Sequence, residues 1–273
     1  MVNSMHWSIN RWILEDGEQI ATPSTLDYVI TGIPRSGTSL MSTILSSSEN
    51  SFCFNEVHYQ IPVLPSFFSE MRKRIEDGLP VINKINEKGK LTTDTQRQDG
   101  IKFSEIDVIG KSNSIRLGSK VNVPYLNKIK QIEDFGYKII AMVRNPVFTL
   151  ASWNDVKVSN IPEANVSGPS QHKRWDMFSF SSESVVERQL IIWDYYANII
   201  KSLSSNSLVV HYESLISDPR ETISKICNFL EIKIPTNIPV LVDGNSLEKY
   251  PNVAEIEKIV KKKPHLSMRS FYE

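Results

Sequence analysis

The chain has only two cysteines, Cys53 and Cys227, far apart and without metal-ligand spacing. That argues against a disulfide-stapled scaffold and a cysteine-held metal; two packed thiols in a reducing compartment are expected. Net charge is also missing, with 31 basic residues against 31 acidic ones. Without a basic excess there is no broad electrostatic footprint for nucleic acid. No apolar run approaches the ~20 residues that span a bilayer. The opening residues, MVNSMHWSINRW, lack the basic-then-apolar order of a secretory signal. Neither an internal repeat nor a low-complexity block is present. A soluble globular protein with neither membrane nor nucleic-acid partner is expected.

The most informative stretch is Tyr28–Leu45, YVITGIPRSGTSLMSTIL. Val29, Ile30 and Thr31 favour a buried strand. Gly32, Pro34 and Gly37 punctuate a turn, and Leu40, Met41, Ile44 and Leu45 have helical spacing. A strand feeding a helix through such a loop points backbone N–H groups and the positive end of a helix dipole at one spot, which suits phosphate. The nucleotide-triphosphate loop reads G-x-x-x-x-G-K-[ST]. Here Thr38 stands in the lysine slot, and the cation lies inside the loop at Arg35. A nucleotide kinase or other NTPase would lack its contact to the terminal phosphates.

Further strands are expected at Ser51–Phe54, Ile115–Lys120, Tyr137–Val143 and Ser207–His211. Helices are expected over 61–76, 122–135, from Pro146 through Ser152, over about 183–203 and from Asp218-Pro219 onward. Residues 1–26 read as an N-terminal arm, 27–232 as the core and 233–273 as a C-terminal extension of one domain. Residues 78–114 are polar without sustained period and read as an insertion around short helical pieces. Residues 157–182, rich in Ser, Asn and Pro, read as a lid or acceptor-facing loop. Alternating strands and helices predict a three-layer α/β/α domain with a mostly parallel central sheet and a phosphate-binding loop.

The loop variant G-x-P-R-S-G-T-[ST] resembles the 5′-phosphosulfate loop of sulfotransferases, the enzymes that use PAPS (3′-phosphoadenosine 5′-phosphosulfate). Its style is that of bacterial and tyrosylprotein-type members. In that family a buried strand ends in an arginine, and a serine follows eight residues later on the next helix. Arg144 and Ser152 have that spacing. The resemblance implies that Arg35, Ser36, Gly37, Thr38 and Ser39 hold the 5′ end, and that Arg144 and Ser152 hold the 3′-phosphate. Tyr212 in HYESL resembles the family segment whose tyrosine approaches the nucleotide. Asn245-Ser246 either reaches the site, as in some relatives, or is ordinary turn chemistry.

The remaining assignments concern the reaction. NEVHYQIP resembles the family segment with a glutamate five residues before an Ile-Pro pair, which makes Glu56 the expected base. His58 is the competing base on chemical grounds alone. Lys120 matches a family lysine near the leaving-group oxygen, a solvated lysine being the alternative. Trp193 is expected in the core, and Lys261–Lys263 on a solvated face. The implied activity is sulfuryl transfer from PAPS to a hydroxyl or nitrogen of a small molecule (an alcohol, amine or carbamoyl-type nitrogen), releasing PAP (3′,5′-bisphosphoadenosine), with no metal. The likeness is to a cytoplasmic member of the family. Two alternatives stand beside it, a Mg²⁺-dependent P-loop kinase or NTPase and a non-catalytic PAP-binding module.

Overall fold

In the computed structural model, residues 24, 26–57, 63–86, 91, 101–108, 115–155, 184–238, 241, 243–245, 250–262 and 271 are described. The chain begins β1 (Tyr28–Gly32), α1 (Thr38–Ser46), β2 (Ser51–Asn55) and α2 (Leu64–Glu76), then β3 (Val81–Asn86) and β4 (Ile101–Ile106). It continues through β5 (Arg116–Lys120), α3 (Val123–Leu126), α4 (Ile129–Asp134), β6 (Lys138–Val143), α5 (Pro146–Asp155) and α6 (Val185–Lys201). The last elements are β7 (Ser207–His211), α7 (Tyr212–Ser217), α8 (Pro219–Leu230) and α9 (Val253–Lys262).

Five strands form one parallel sheet in the order β2-β5-β1-β6-β7. β1 lies in its middle and is buried at every position. A parallel strand covered on both faces needs apolar residues on both, which explains its unbroken run. Successive side chains feed opposite cores. Val29, Ile139, Ala141 and Val143 join Phe67 of α2, Leu150 of α5 and Trp193 of α6. Tyr28, Ile30, Ile140 and Met142 join Met41 of α1 and Ile223 and Ile226 of α8. The result is the expected three-layer α/β/α arrangement.

Helix starts follow their capping residues. Asn145 Oδ1 accepts from Val147 N at 2.9 Å and opens α5. Ser184 and Glu187 form a reciprocal capping box on α6, and Asp218 Oδ1 accepts from Glu221 N at 3.1 Å on α8. The face expected as one helix over 122–135 is two short helices, because Lys128 leaves the helical range with φ −124. Tyr125, Leu126, Ile129 and Ile132 are nevertheless all buried. α9 lies within the expected C-terminal extension, and Val253, Ile256 and Val260 carry its buried face. Lys261 and Lys262 are exposed in its last turn, as expected, while Lys263 lies outside the described residues.

One expectation needs correction. Among its described residues, the insertion over 78–114 holds an antiparallel pair, β3 with β4, where short helical pieces were expected. Val81, Asn83 and Ile85 are buried while Ile82 and Lys84 are half-buried. This is strand alternation with an asparagine in a core-facing slot, so the apolar count alone hides it. The expected arm (1–23 of it) and the acceptor-facing loop at 157–182 lie outside the described residues.

At the heart of the sheet, Gly118 of β5 faces Tyr28 of β1. A Cβ there would lie 2.4 Å from Cε2 and Cζ of the Tyr28 ring, and the Tyr28 hydroxyl is held 2.9 Å from Ser51 Oγ. Gly118→Ala is expected to destabilise the protein by about 1–3 kcal/mol in urea unfolding. Combined with Tyr28→Leu, the cost should be less than additive, since the smaller ring-free side chain relieves the clash.

Candidate active site

The chemistry-bearing residues collect at the carboxyl ends of the parallel strands, where open α/β sheets place their ligand crevice. Gly32 ends β1, Glu56 follows β2, Lys120 ends β5, Arg144 follows β6 and Tyr212 follows β7.

The loop between β1 and α1 turns through two left-handed residues, Arg35 (φ 72) and Gly37 (φ 88). Gly37 is the N-cap of α1 and brings no side chain to the cap. The first-turn N–H groups therefore have no side-chain acceptor at the cap, the condition for receiving an anion. Ser36 is fully buried in the loop, and among the described residues its Oγ has no hydrogen-bond partner. A buried orphan hydroxyl costs free energy unless a ligand satisfies it. The loop thus fits a bound phosphate. Gly37 also has no room for a Cβ, which would lie 2.8 Å from the Tyr212 ring.

Arg35 joins this loop to the second motif. Its Nε donates to Ser152 Oγ on α5 at 3.0 Å, and its carbonyl accepts from Arg144 Nη1 at 3.1 Å. Trp153 Nε1 adds a 2.9 Å bond to the Pro34 carbonyl. The sequence-expected trio of Arg35, Arg144 and Ser152 is therefore one connected unit.

Arg144 is held on several sides. Its Nε donates to Asn245 Oδ1 and its Nη2 to the Gly244 carbonyl, each at 2.8 Å. Its guanidinium lies 4.6 Å from the Tyr212 ring centroid, a stacked contact that favours arginine over lysine. Glu213 Oε1 accepts from Asn145 N at 2.9 Å and from Asn245 Nδ2 at 3.2 Å. Asn245 thus reaches the site; Ser246 lies outside the described residues. Trp193 is core, as expected, and its indole donates to the Arg144 carbonyl at 3.2 Å.

Lys120 is not a solvated lysine. It is fully buried, and its ammonium donates to Ser39 Oγ at 2.9 Å and to Glu56 Oε1 at 2.8 Å. Register explains the meeting. Asn55 of β2 pairs with Lys120 of β5, so the residue after Asn55 sits at the lysine, and Glu56 N donates to the Lys120 carbonyl at 2.8 Å. Glu56 takes a left-handed backbone (φ 56), a strained state that neighbouring contacts must hold. Burial alone pushes its carboxyl up, but Lys120 and then Lys84 outweigh that and hold it at about 2. It is a carboxylate at neutral pH and, so clamped, a weak base.

Sequence reasoning missed four residues. Lys84 of β3 binds the other Glu56 oxygen, Oε2, at 2.6 Å. Asn83, fully buried, ties β3 to β2 through the Asn55 N–H (2.8 Å) and the Cys53 carbonyl (3.0 Å). Asn122 accepts from Thr38 Oγ1 at 2.8 Å and so braces the loop from the segment after β5. Glu213 adjoins Tyr212 in the HYESL segment, where the signal was available. His58 and the Ile61-Pro62 pair lie outside the described residues. Among the described residues no cluster of His, Cys, Asp or Glu is placed to hold a metal. Among them, too, no helix is long and apolar enough to cross a membrane.

A family model described as the sulfotransferase domain matches residues 26–271. No curated protein matches the chain in sequence. Among solved structures, the sulfotransferase domain of the curacin biosynthetic pathway is 16% identical, with 91% of this chain and 96% of that one covered at a TM-score of 0.47. The sulfotransferase domain of the Synechococcus PCC 7002 olefin synthase is 15% identical, with coverages of 90% and 86% and a TM-score of 0.42. A sulfotransferase from Alicyclobacillus acidocaldarius is 17% identical, with coverages of 89% and 97% and a TM-score of 0.41. Since the family model spans nearly all of the chain, from Leu26 through Phe271, the protein belongs to the sulfotransferase family.

Proposed function

We propose that this sulfotransferase takes its sulfuryl group from PAPS and passes it to a hydroxyl or nitrogen of a small molecule, leaving PAP. The observation that carries the reading is the joint at Arg35. One residue links an anion-ready loop to Ser152 and Arg144, the pair that would hold a second phosphate. A nucleotide with phosphates at both its 5′ and 3′ positions suits such a double site. The loop N–H groups of Ser36–Ser39 and the hydroxyls of Ser36, Thr38 and Ser39 would hold the 5′ end. Arg144 and Ser152 would hold the 3′-phosphate, with Tyr212 packed beside it. The acceptor is an alcohol, amine or carbamoyl-type nitrogen, and the setting is cytoplasmic. The arm, core and C-terminal extension together form one catalytic domain.

PAPS supplies the sulfuryl group and carries away the charge left on its phosphate. The chain's own residues position and neutralise. Lys120 and Arg35 bring cationic charge to the loop end, where negative charge would build on the leaving oxygen. Fixed donors of this kind cost no reorganisation during reaction. Glu56 takes the acceptor proton; His58 is the substitute base if Glu56 does not. Two ammonium groups already neutralise Glu56. That surrounding repels a divalent cation and speaks against the kinase or NTPase alternative.

PAP without metal is therefore expected to raise the melting temperature, with about 2.7 kcal/mol of added stability at a hundredfold over its dissociation constant. ATP with Mg²⁺ should do far less, and equal shifts would sink the reading in favour of an NTPase. In the same assay Arg144→Ala should weaken PAP by about 2–4 kcal/mol. Adenosine 5′-phosphosulfate, which has no 3′-phosphate, should be almost unaffected. Equal loss for both ligands would make Arg144 a structural residue that only braces Gly244, Asn245 and the loop.

A further inference from the structure

The β3–β4 hairpin is tied to the active site through a buried side chain, Asn83, and through its charged neighbour. Asn83 sits fully buried and is bonded to both the Asn55 N–H and the Cys53 carbonyl of β2. Its Oδ1 also accepts from the Lys84 N–H at 2.8 Å. The hairpin thus has a fixed register against β2, and Lys84 follows directly from it. Lys84 Nζ meets Glu56 Oε2 at 2.6 Å while Lys120 Nζ meets Oε1 at 2.8 Å. The two lysines come from different strands and take different oxygens of one carboxylate. The Lys84 side chain is 15% exposed and that of Lys120 is 1% exposed.

This division matters because Lys120 does not serve Glu56 alone. It also donates to Ser39 Oγ in the phosphate loop, so an anion in that loop competes with Glu56 for its ammonium. Glu56 is partly buried, its side chain 23% exposed, and a carboxylate there that loses its counter-charge is destabilised. We propose that Lys84 is a positioning residue for Glu56: it holds Oε2 while Lys120 turns to the bound phosphosulfate, leaving Oε1 to take the acceptor proton. The proposal rests on the reading of Glu56 as the base. In that step the acceptor oxygen or nitrogen bonds to sulfur, and the sulfur–oxygen bond to the phosphate breaks. The bond's electrons stay on the phosphate of PAP, and the acceptor's proton ends on Oε1.

The electrostatics agree with the geometry. Among the described residues, the charged groups facing Glu56 are Lys120 from β5 and Lys84 from β3, and both lower its carboxyl below the ordinary value. Releasing one of them raises its proton affinity, and keeping the other prevents the carboxylate from being stranded. A single ammonium on each oxygen gives both properties. A carboxylate held by Lys120 alone has only the first.

The test is a ¹³C-carboxyl NMR titration of Glu56 in the full chain, which needs no acceptor. In Lys84→Met, or Lys84→Gln if the first variant folds poorly, Glu56 should titrate about 1–3 pH units higher than in wild type. Lys84→Arg should return it close to the wild-type position. PAP affinity should stay within about twofold in all three, since Lys84 is not assigned to the nucleotide. A Glu56 titration unmoved in the neutral variants, or moved equally by Lys84→Arg, would overturn the proposal. A merely structural Lys84 would lower the melting temperature and move the Glu56 titration equally with and without PAP. A positioning Lys84 should move it more with PAP bound, when the loop anion draws Lys120 away. Failure of the base reading shows separately: Glu56→Gln would keep full sulfuryl transfer, whatever the titration reports.

Discussion

The buried ammonium of Lys120 is the constraint on which the site depends. A fully buried lysine is tolerated only with partners that replace its water. Glu56 and Ser39 supply them, one from the end of β2 and one from the first turn of α1. Each attachment has structural consequences. Glu56 must adopt a left-handed backbone to reach the lysine, and β2 must keep its register with β5, because a one-residue slip would turn the pair to opposite faces. Removing Glu56 takes the carboxylate from a fully buried ammonium, a loss on the order of 3–5 kcal/mol.

The other half of the site depends on a comparable economy of partners around Arg144. Its guanidinium fastens the 244–245 segment, stacks on Tyr212 and reaches the Arg35 carbonyl. Gly244 completes the fit, for a Cβ there would lie 2.8 Å from the Tyr212 hydroxyl and 3.3 Å from Arg144 Nη2. Loop, strand end and C-terminal segment thereby meet on one guanidinium. Preorganisation of this kind is what an electrostatic mechanism requires.

The parallel strands were legible because each is short and bounded by turn residues, and all but β5 (RLGSK) are mainly apolar. The two motifs were legible because their residues stand close in sequence and match family patterns. What was hidden depends on contacts between distant segments. Lys120 reads as either buried or solvated until β2 lies beside β5. Asn83 conceals a strand by placing a polar group inward, where two backbone partners on β2 satisfy it. Lys84 carries no local signal at all, since its meaning comes from the hairpin's docking. The break between α3 and α4 is a single backbone excursion at Lys128, invisible to a periodicity that continues through it.

The central claim is that Lys120 acts on the reacting end of the nucleotide and does not merely stabilise the fold. It is tested most directly by single-turnover formation of PAP from saturating PAPS, with water or an added acceptor receiving the sulfuryl group, in Lys120→Met against wild type. The account predicts a fall in rate on the order of 10²–10³-fold, with PAP affinity reduced less than about tenfold. A rate equal to wild type in a folded Lys120→Met, or a loss confined to PAP binding, would contradict it.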